Sequence, residues 1–498
     1  MKTYDSHIAK TTSYPLQSSG LDIFTLFFGL IAIAISAVSA IAISEFGALV
    51  LLVIPAIIFL VIVFFQPDYG LAIFIFITFT QLSNVAIEFF GAPSIAQPLA
   101  GLLIVVILLR VVLYRERILN WGRIAPVLVF YIFALFVSMF NAADFSVSSD
   151  AFIGFFKDAL GGVIIIFLIQ RPGSFRQAIW ALIIAGIFMG SISVFQTTTS
   201  TYDNPYFGFG GWESQTSGEQ SRNRLTGPYD NPNAYSQVLV VIFALALERL
   251  WHEKRSLLRL FAGWSVIVTS LTIIFTYSRG GVLTLIATLG VLFLQNRPKL
   301  LPILLTMVLG LALIQFLPSD YTEHIGTLQD ILPSKNNQVT EVSFRGRLSE
   351  NIAAWRMFLN DPFFGVGLGN FEVQYQDYSR QIGLDVRRVP RTPASLYLEV
   401  LSEQGLIGAI AFVLLIYTIF AGLISARLQF AHAGLQDQSN MTMALIAGFL
   451  GYMVAATVKN SAYANVYWIV VGVTLSAAQV ALFSSREKSK LTGSRYIS

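Results

Sequence analysis

Cysteine is absent from the chain, and histidine occurs only four times, at His7, His252, His324 and His432. Without Cys there can be no disulfide, no thiolate nucleophile and no Cys-ligated metal, and no metal site is expected elsewhere. Charge is scarce too: 12% of the residues are charged, about half of the roughly 25% found in soluble proteins. A soluble enzyme is thereby excluded. With 32 Lys and Arg against 28 Asp and Glu the net charge is only +4, and the basic residues lie between apolar runs, so no nucleic-acid partner is expected. A cleavable signal peptide is not expected either, because the polar stretch Met1–Gly20 leads into a full-length apolar run with no small-residue cleavage pattern.

What the chain has instead is hydrophobicity, at 55% of its 498 residues. About 20 apolar residues are needed for a helix to cross the hydrocarbon core, where a helix satisfies its own backbone hydrogen bonds. By that measure spans fall at 22–43, 47–65, 70–90, 98–114, 124–142, 152–169, 175–196, 233–250, 259–276, 280–296, 299–317, 405–426, 440–458 and 462–483. The expected fold is an all-α polytopic integral membrane protein with about 12–14 transmembrane helices, the segment 152–169 being the weakest because it contains Lys157 and Asp158.

Basic residues of short loops stay on the cytoplasmic side. Placing Lys2 and Lys10 inside also puts Arg115, Arg117, Arg123, Arg171, Arg176, Lys254, Arg255, Arg259, Arg297, Lys299, Arg427 and the tail from Arg486 inside, without conflict. Both termini are then cytoplasmic. The expected organisation is N-terminal helices 1–196, an extracytoplasmic loop 197–232, central helices 233–317, a large extracytoplasmic loop 318–404 with short helices, C-terminal helices 405–485 and a cytoplasmic tail 486–498. The two long loops carry Arg where the rule predicts few. Ordinary loop charge is one reading. The other is an external anion site, since the planar donors of Arg match phosphate oxygens and its charge is permanent.

Four segments bear on that site. In 222–235 the turn residues Gly227, Pro228, Asp230 and Asn231 precede a helix start at Pro232-Asn233, so Arg224, with Arg222 and Asn233, would sit beside an exposed helix N-terminus. In Tyr277-Ser278-Arg279-Gly280-Gly281 a basic residue stands between two spans with almost no loop. It could be a snorkelling interfacial Arg, but the two glycines favour close approach of a ligand. The long loop then offers Arg345 and Arg347, a short helix 348–360 ended by Asp361-Pro362, and Gly365-x-Gly367-x-Gly369. That glycine run lacks the strand and helix of a nucleotide loop, so no nucleotide cofactor is expected. Last comes Arg391-Thr392-Pro393-Ala394-Ser395, a helix start that puts Glu399 and Glu403 on one face at i, i+4. These two serve either as acid/base groups or as structural partners that pin the Arg side chains.

Together these segments resemble the O-antigen ligase and polymerase family of bacterial membrane glycosyltransferases. The family pattern H-[NSQ]-x9-G-x-x-G is met by Ser395, nine residues, Gly405 and Gly408, while its His is replaced by Ala394. The resemblance implies an O-antigen ligase-like enzyme of the bacterial cytoplasmic (inner) membrane with its active site facing the periplasm. It implies a polyisoprenyl (undecaprenyl) pyrophosphate-linked glycan as donor, a lipid or glycan hydroxyl as acceptor, membrane lipids as surroundings, and no cofactor. Arg279, Glu399 and Glu403 become the catalytic candidates, and Arg222, Arg224, Asn233, Arg345, Arg347, Arg388, Arg391 and Ser395 the substrate-binding ones. Tyr206, Trp212, Tyr375 and Tyr378 are candidates for stacking on sugar rings. The alternatives are a repeat-unit polymerase of the same family, a small-anion (bicarbonate-like) transporter, and a non-catalytic glycan- or lipid-binding homologue.

Overall fold

The computed structural model describes residues 61–114, 124–217, 220–296, 338–384, 391–458 and 465–493. The expected spans 22–43 and 299–317, most of 47–65, and the residues His324, Arg387 and Arg388 lie outside the described residues. The chain divides into two compact units, Met1–Phe65 and Gln66–Ser498. The helical residues 61–65 are the described part of the first; the second is built as follows.

Its helices are α1 (Pro67–Phe79), α2 (Leu82–Phe90), α3 (Ala96–Tyr114), α4 (Ile124–Met139), α5 (Phe145–Leu168) and α6 (Pro172–Thr198). A hairpin follows, β1 (Trp212–Ser217) and β2 (Gln220–Leu225), paired antiparallel with Glu213 opposite Arg224. Then come α7 (Pro232–His252), α8 (Ser256–Phe275), α9 (Arg279–Asn296), α10 (Gln338–Asn360), α11 (Phe371–Ile382), α12 (Leu396–His432), α13 (Gln436–Ala455) and α14 (Asn465–Gly493). Among the described residues seven helices are long and apolar enough to cross a membrane, or eight if the bent pair α1 and α2 is one span. The protein is an all-α, multi-pass membrane protein, with the hairpin as the one sheet among the described residues.

The centre of the bundle is α7, which packs against α8, α9 and α13. Local chemistry fixes its start: Pro232 occupies the first turn, and the Asn231 side chain accepts from the Asn233 and Ala234 N–H groups at 3.0 and 3.1 Å. All residues from Val238 to Arg249 are buried. The far end of α7 closes in an ion network. Arg249, fully buried, reaches Glu248 at 2.6 Å and Asp437 at 2.7 Å, and Arg176 reaches Asp437 at 2.6 Å and Glu253 at 2.5 Å. Sequence alone reads 233–250 as an apolar span and misses this cluster, because Arg176 and Asp437 come from the starts of α6 and α13.

Two expected spans are broken. The stretch 70–90 bends by 56° between α1 and α2 although neither Gly nor Pro marks the place. Gln81, with φ 56°, is held there by its side chain, which donates to Thr78 O and Asn465 Oδ1 at 3.1 Å each and accepts from Asn84 at 2.6 Å. The second break lies inside α12, at Gly405 with φ 63° and ψ −161°. A short helix 396–404 precedes the break and the apolar run follows it, so the helix begins nine residues before the expected span 405–426.

The glycine run explains how that break is tolerated. A helix interrupted in mid-course exposes carbonyls on one side and N–H groups on the other, and neither can be left bare near lipid. Here Val366 N and Gly367 N donate to Ser402 O and Glu403 O at 2.8 and 3.1 Å, while Leu406 N and Ile407 N donate to Pro362 O and Phe363 O at 2.8 and 3.3 Å. The segment 362–367 thus splints the break from outside. Close approach requires glycine on both partners: a Cβ on Gly405 would lie 2.5 Å from Phe363 O, and one on Gly365 would lie 2.5 Å from Glu403 O. The splint is in turn clamped by the α4–α5 connection, where Asn141 donates to Gly365 O at 2.6 Å and Ser148 to Leu368 O at 2.7 Å. Asn370 accepts from Asp144 N at 2.7 Å and donates to Ser148 Oγ at 2.9 Å.

Candidate functional site

At the end of α7 opposite the ion network, the hairpin, the α8–α9 junction and the start of α12 come together. Arg224, nearly buried, closes off β2. Its Nε donates to Thr276 O at 2.9 Å, just past the end of α8, its Nη1 lies 3.0 Å from Glu213 Oε1 across the hairpin, and its Nη2 donates to Asn233 Oδ1 at 3.4 Å. One guanidinium therefore joins three elements. Arg222, two residues earlier on the same strand, is half-buried. The turn 227–229 is pinned by the Tyr229 hydroxyl, which donates to Phe79 O, and burial pushes its pKa up so that it stays a donor.

The α8–α9 junction turns within three residues. Tyr277 adopts φ 49°, and Ser278 caps α9 by accepting from Gly281 N at 3.1 Å. Arg279 is then the first residue of α9 and is exposed. It has no ion-pair partner among the described residues. The glycines after it allow α9 to start against its neighbours: a Cβ on Gly281 would lie 2.7 Å from Ser236 in the first turns of α7, and one on Gly280 would lie 2.9 Å from Val458. The N-termini of α7 and α9 are thus side by side, with their positive dipole ends toward the place where Arg279 emerges, while the first N–H groups of α7 are taken up by Asn231.

A third helix start joins them through residues 456–458. Leu396 N donates to Ala456 O at 2.9 Å and the Tyr397 hydroxyl to Met453 O at 2.8 Å, so Ser395, in the N-cap position of α12, lies across the end of α13 from Gly280. The helix starts here, later than Thr392-Pro393 suggests. Arg391 leads into it and is tied to α10 by Glu350 at 2.9 Å. Arg345 and Arg347 lie on α10 within two turns of Glu350, half-buried and exposed respectively. That helix starts at Gln338, ten residues before the expected 348, and ends at the expected Asn360.

The two carboxylates of the short helix differ. Glu403 is buried and committed to the splint, its oxygens accepting from Gly369 N at 2.9 Å and Phe371 N at 3.4 Å. Backbone N–H groups of the splint are thus among the partners of Glu403. Glu399 is also buried, one turn into the helix that Ser395 begins. Ala394, in the place of the family His, is half-buried just before it. Among the aromatic candidates Tyr375 is fully buried in the small core that α10 and α11 share, so it cannot stack on a sugar, and Tyr378 packs against the same core. Trp212 remains partly exposed, its indole donating to Tyr202 O at 2.7 Å.

The arrangement suits an anion: one exposed guanidinium, one anchored guanidinium and adjacent helix N-termini. Sequence reasoning missed Glu213 and Glu350, the residues that hold Arg224 and Arg391. Neither offered a signal: Glu213 faces Arg224 only through the register of a polar hairpin, and Glu350 only through the packing of α10. No group of three or more acidic or His side chains capable of holding a metal occurs among the described residues. No curated protein matches the chain. Residues 264–413, which include Arg279, Arg391, Ser395 and both signature glycines, match the family model described as O-antigen ligase, so over that segment this membrane protein is similar to the O-antigen ligases that its motifs resemble.

Proposed function

We propose that the protein is an O-antigen ligase-like glycosyltransferase that moves a glycan from a polyisoprenyl pyrophosphate to a hydroxyl acceptor at the outer face of the bacterial cytoplasmic membrane. The family match supports an O-antigen ligase or polymerase function and a membrane glycosyltransferase-like enzyme. The observation that carries the finer reading is Arg279: exposed, at a helix N-terminus, and without an ion-pair partner among the described residues. A lipid-linked pyrophosphate is the ligand whose charge and membrane depth such a group would meet.

In this reading the acceptor oxygen attacks the anomeric carbon, the bond from that carbon to the pyrophosphate oxygen breaks, and the electron pair leaves with the pyrophosphate. Arg279 and the positive dipole ends of the adjacent helix starts stabilise the departing charge, and Arg224 keeps the α7 and α8–α9 segments in register. The acceptor proton needs a receiver that Ala394 cannot be. Of the two carboxylates, Glu403 accepts from backbone donors of the splint, and Glu399, one turn into the helix that Ser395 begins, is assigned as the base. The two broken helices would speak for transport if they lined a path. Their polar groups are instead satisfied by protein, at Gln81 by Asn84 and Asn465 and at Gly405 by 362–367, which favours the enzyme.

A deletion strain tests the assignment, with lipid-linked and finished glycans extracted separately and compared on gels. Long chains stranded on the carrier mean ligase and single repeats mean polymerase; an unchanged pattern defeats both. For the base, Glu399→Gln is expected to lower transfer by about 100-fold or more in purified protein with folding intact. Full activity in that variant would remove Glu399 from the mechanism.

A further inference from the structure

Helix α10 has one face too many for a helix that only caps a lobe. Its buried side is formed by Gly346, Ser349, Glu350, Ala353, Ala354 and Met357, which pack towards α11 and α12. At 100° per residue the opposite side should be polar if it met water. It is instead Leu348, Ile352, Trp355 and Leu359, spaced i, i+4, i+7, i+11, with Trp355 48% and Leu359 58% exposed. Charged residues flank this stripe and do not interrupt it. Arg345 and Arg356 fall on one shoulder, eleven residues apart, and Arg347 falls on the other.

The stripe also leads to a surface whose neighbour is already known. One residue after α10, the chain passes through Pro362 to Phe363 and Phe364, 61% and 43% exposed. The carbonyls of Pro362 and Phe363 accept from Leu406 N and Ile407 N, so the two phenylalanines sit where α12 begins its apolar run. Along that run Leu406, Ile410, Val413 and Leu414 are exposed, as side chains facing acyl chains are. The stripe of α10, the Phe pair and the exposed apolar side of α12 therefore follow one another, with only Asn360 and Asp361 between the stripe and the Phe pair, and a Trp with flanking Arg is the composition of an interfacial helix.

We propose that α10 is a surface-lying membrane helix whose Leu348–Ile352–Trp355–Leu359 stripe, continued by Phe363 and Phe364, inserts among the acyl chains of the leaflet at the Arg279 end, with Arg345 and Arg356 at the level of the lipid phosphates. The occupant of the stripe is lipid. In that position α10 fixes the height of the site, because Glu350 on its far side holds Arg391, and Arg391 leads into Ser395. This inference does not depend on the reaction proposed above, and its test reads depth and not transfer.

The absence of Cys makes the test direct, since single reporters can be introduced one at a time. Leu348→Cys, Trp355→Cys and Leu359→Cys, each carrying a nitroxide, are compared with the exposed references Arg347→Cys and Asp377→Cys in full-length protein in vesicles of phosphatidylethanolamine and phosphatidylglycerol. The expected result is an accessibility to oxygen relative to a water-soluble nickel chelate that is several-fold higher at all three stripe positions than at the references. Nickel accessibility equal to that of the references would put the stripe in water and overturn the proposal. Exclusion of both reagents would mean that protein, from this chain or a second copy, covers the stripe, and would overturn it equally. Using three positions keeps the outcome readable if one variant folds poorly.

Discussion

The two ends of α7, about 30 Å apart for 21 residues, both gather arginine and use it in opposite ways. At the His252 end Arg249 and Arg176 meet Glu248, Glu253 and Asp437, and His252 adds a contact to Glu248 at 3.1 Å. Both of these guanidinium groups are matched by carboxylate. At the Pro232 end Arg224 pairs with the carboxylate of Glu213 and also reaches neutral oxygens of Thr276 and Asn233, and Arg279 has no ion-pair partner among the described residues. A cluster of arginine is thus not in itself a site. In the function proposed above, what distinguishes the binding end from the structural end is whether the protein supplies the anions or leaves that to a ligand.

The largest test of this contrast is at the closed end. Arg249→Met removes one side of a buried network and strands its carboxylates, which costs about 3–5 kcal/mol; thermal unfolding in detergent or lipid should register it as a severe loss. A variant as stable as the parent would mean that the network is ornamental. Arg279→Ala should do the reverse, lowering transfer by about 10²–10³-fold, or about 2.7–4 kcal/mol of barrier, while leaving stability within about 0.5 kcal/mol. Equal loss of folding and activity would erase the distinction between the ends. Gly405→Ala, which must adopt φ 63° and meet Phe363, is expected to cost about 2 kcal/mol or more and to lower activity only as far as it lowers the folded fraction. The smallest effect is expected for Arg224→Lys, which keeps the charge but loses the fork to Thr276, Glu213 and Asn233. About 1 kcal/mol of stability and a few-fold rise in KM for the donor would fit an anchoring role, whereas a large fall in kcat alone would move Arg224 into the chemistry.

Much of the bundle was legible because lipid simplifies the code: a run of apolar residues of sufficient length is a helix. The spans 98–114, 175–196, 233–250, 259–276 and 280–296 fall within a few residues of α3, α6, α7, α8 and α9. Pro232-Asn233 reads correctly as a helix start, since its capping chemistry is local. What could not be read is whatever depends on a distant partner. The bend at Gln81 needs Asn465, the network of Arg249 needs Arg176 and Asp437, and the purpose of Gly365 appears only when it meets Glu403 and Gln404. The hairpin 212–225 lies in what reads as loop, because its strands are polar and carry no alternating apolar face. Of the site, the sequence named Arg224, Asn233, Arg279, Arg391 and Ser395, but not that the 456–458 turn would bring the last two segments beside the others.

Chain order gives the break in α12 a folding history. Residues Asn141 and Ser148, which grip the glycine segment, are synthesised first, the segment 362–371 second, and the broken helix around Gly405 last. When the final apolar run of α12 emerges, the donors and acceptors that will satisfy its severed end have already been made. A helix that would otherwise be drawn on as one continuous insertion can therefore stop at Gly405, with 396–404 held back and only the rest committed to the bilayer. The boundary between membrane and site is in this sense set by the sequence in which the protein is made.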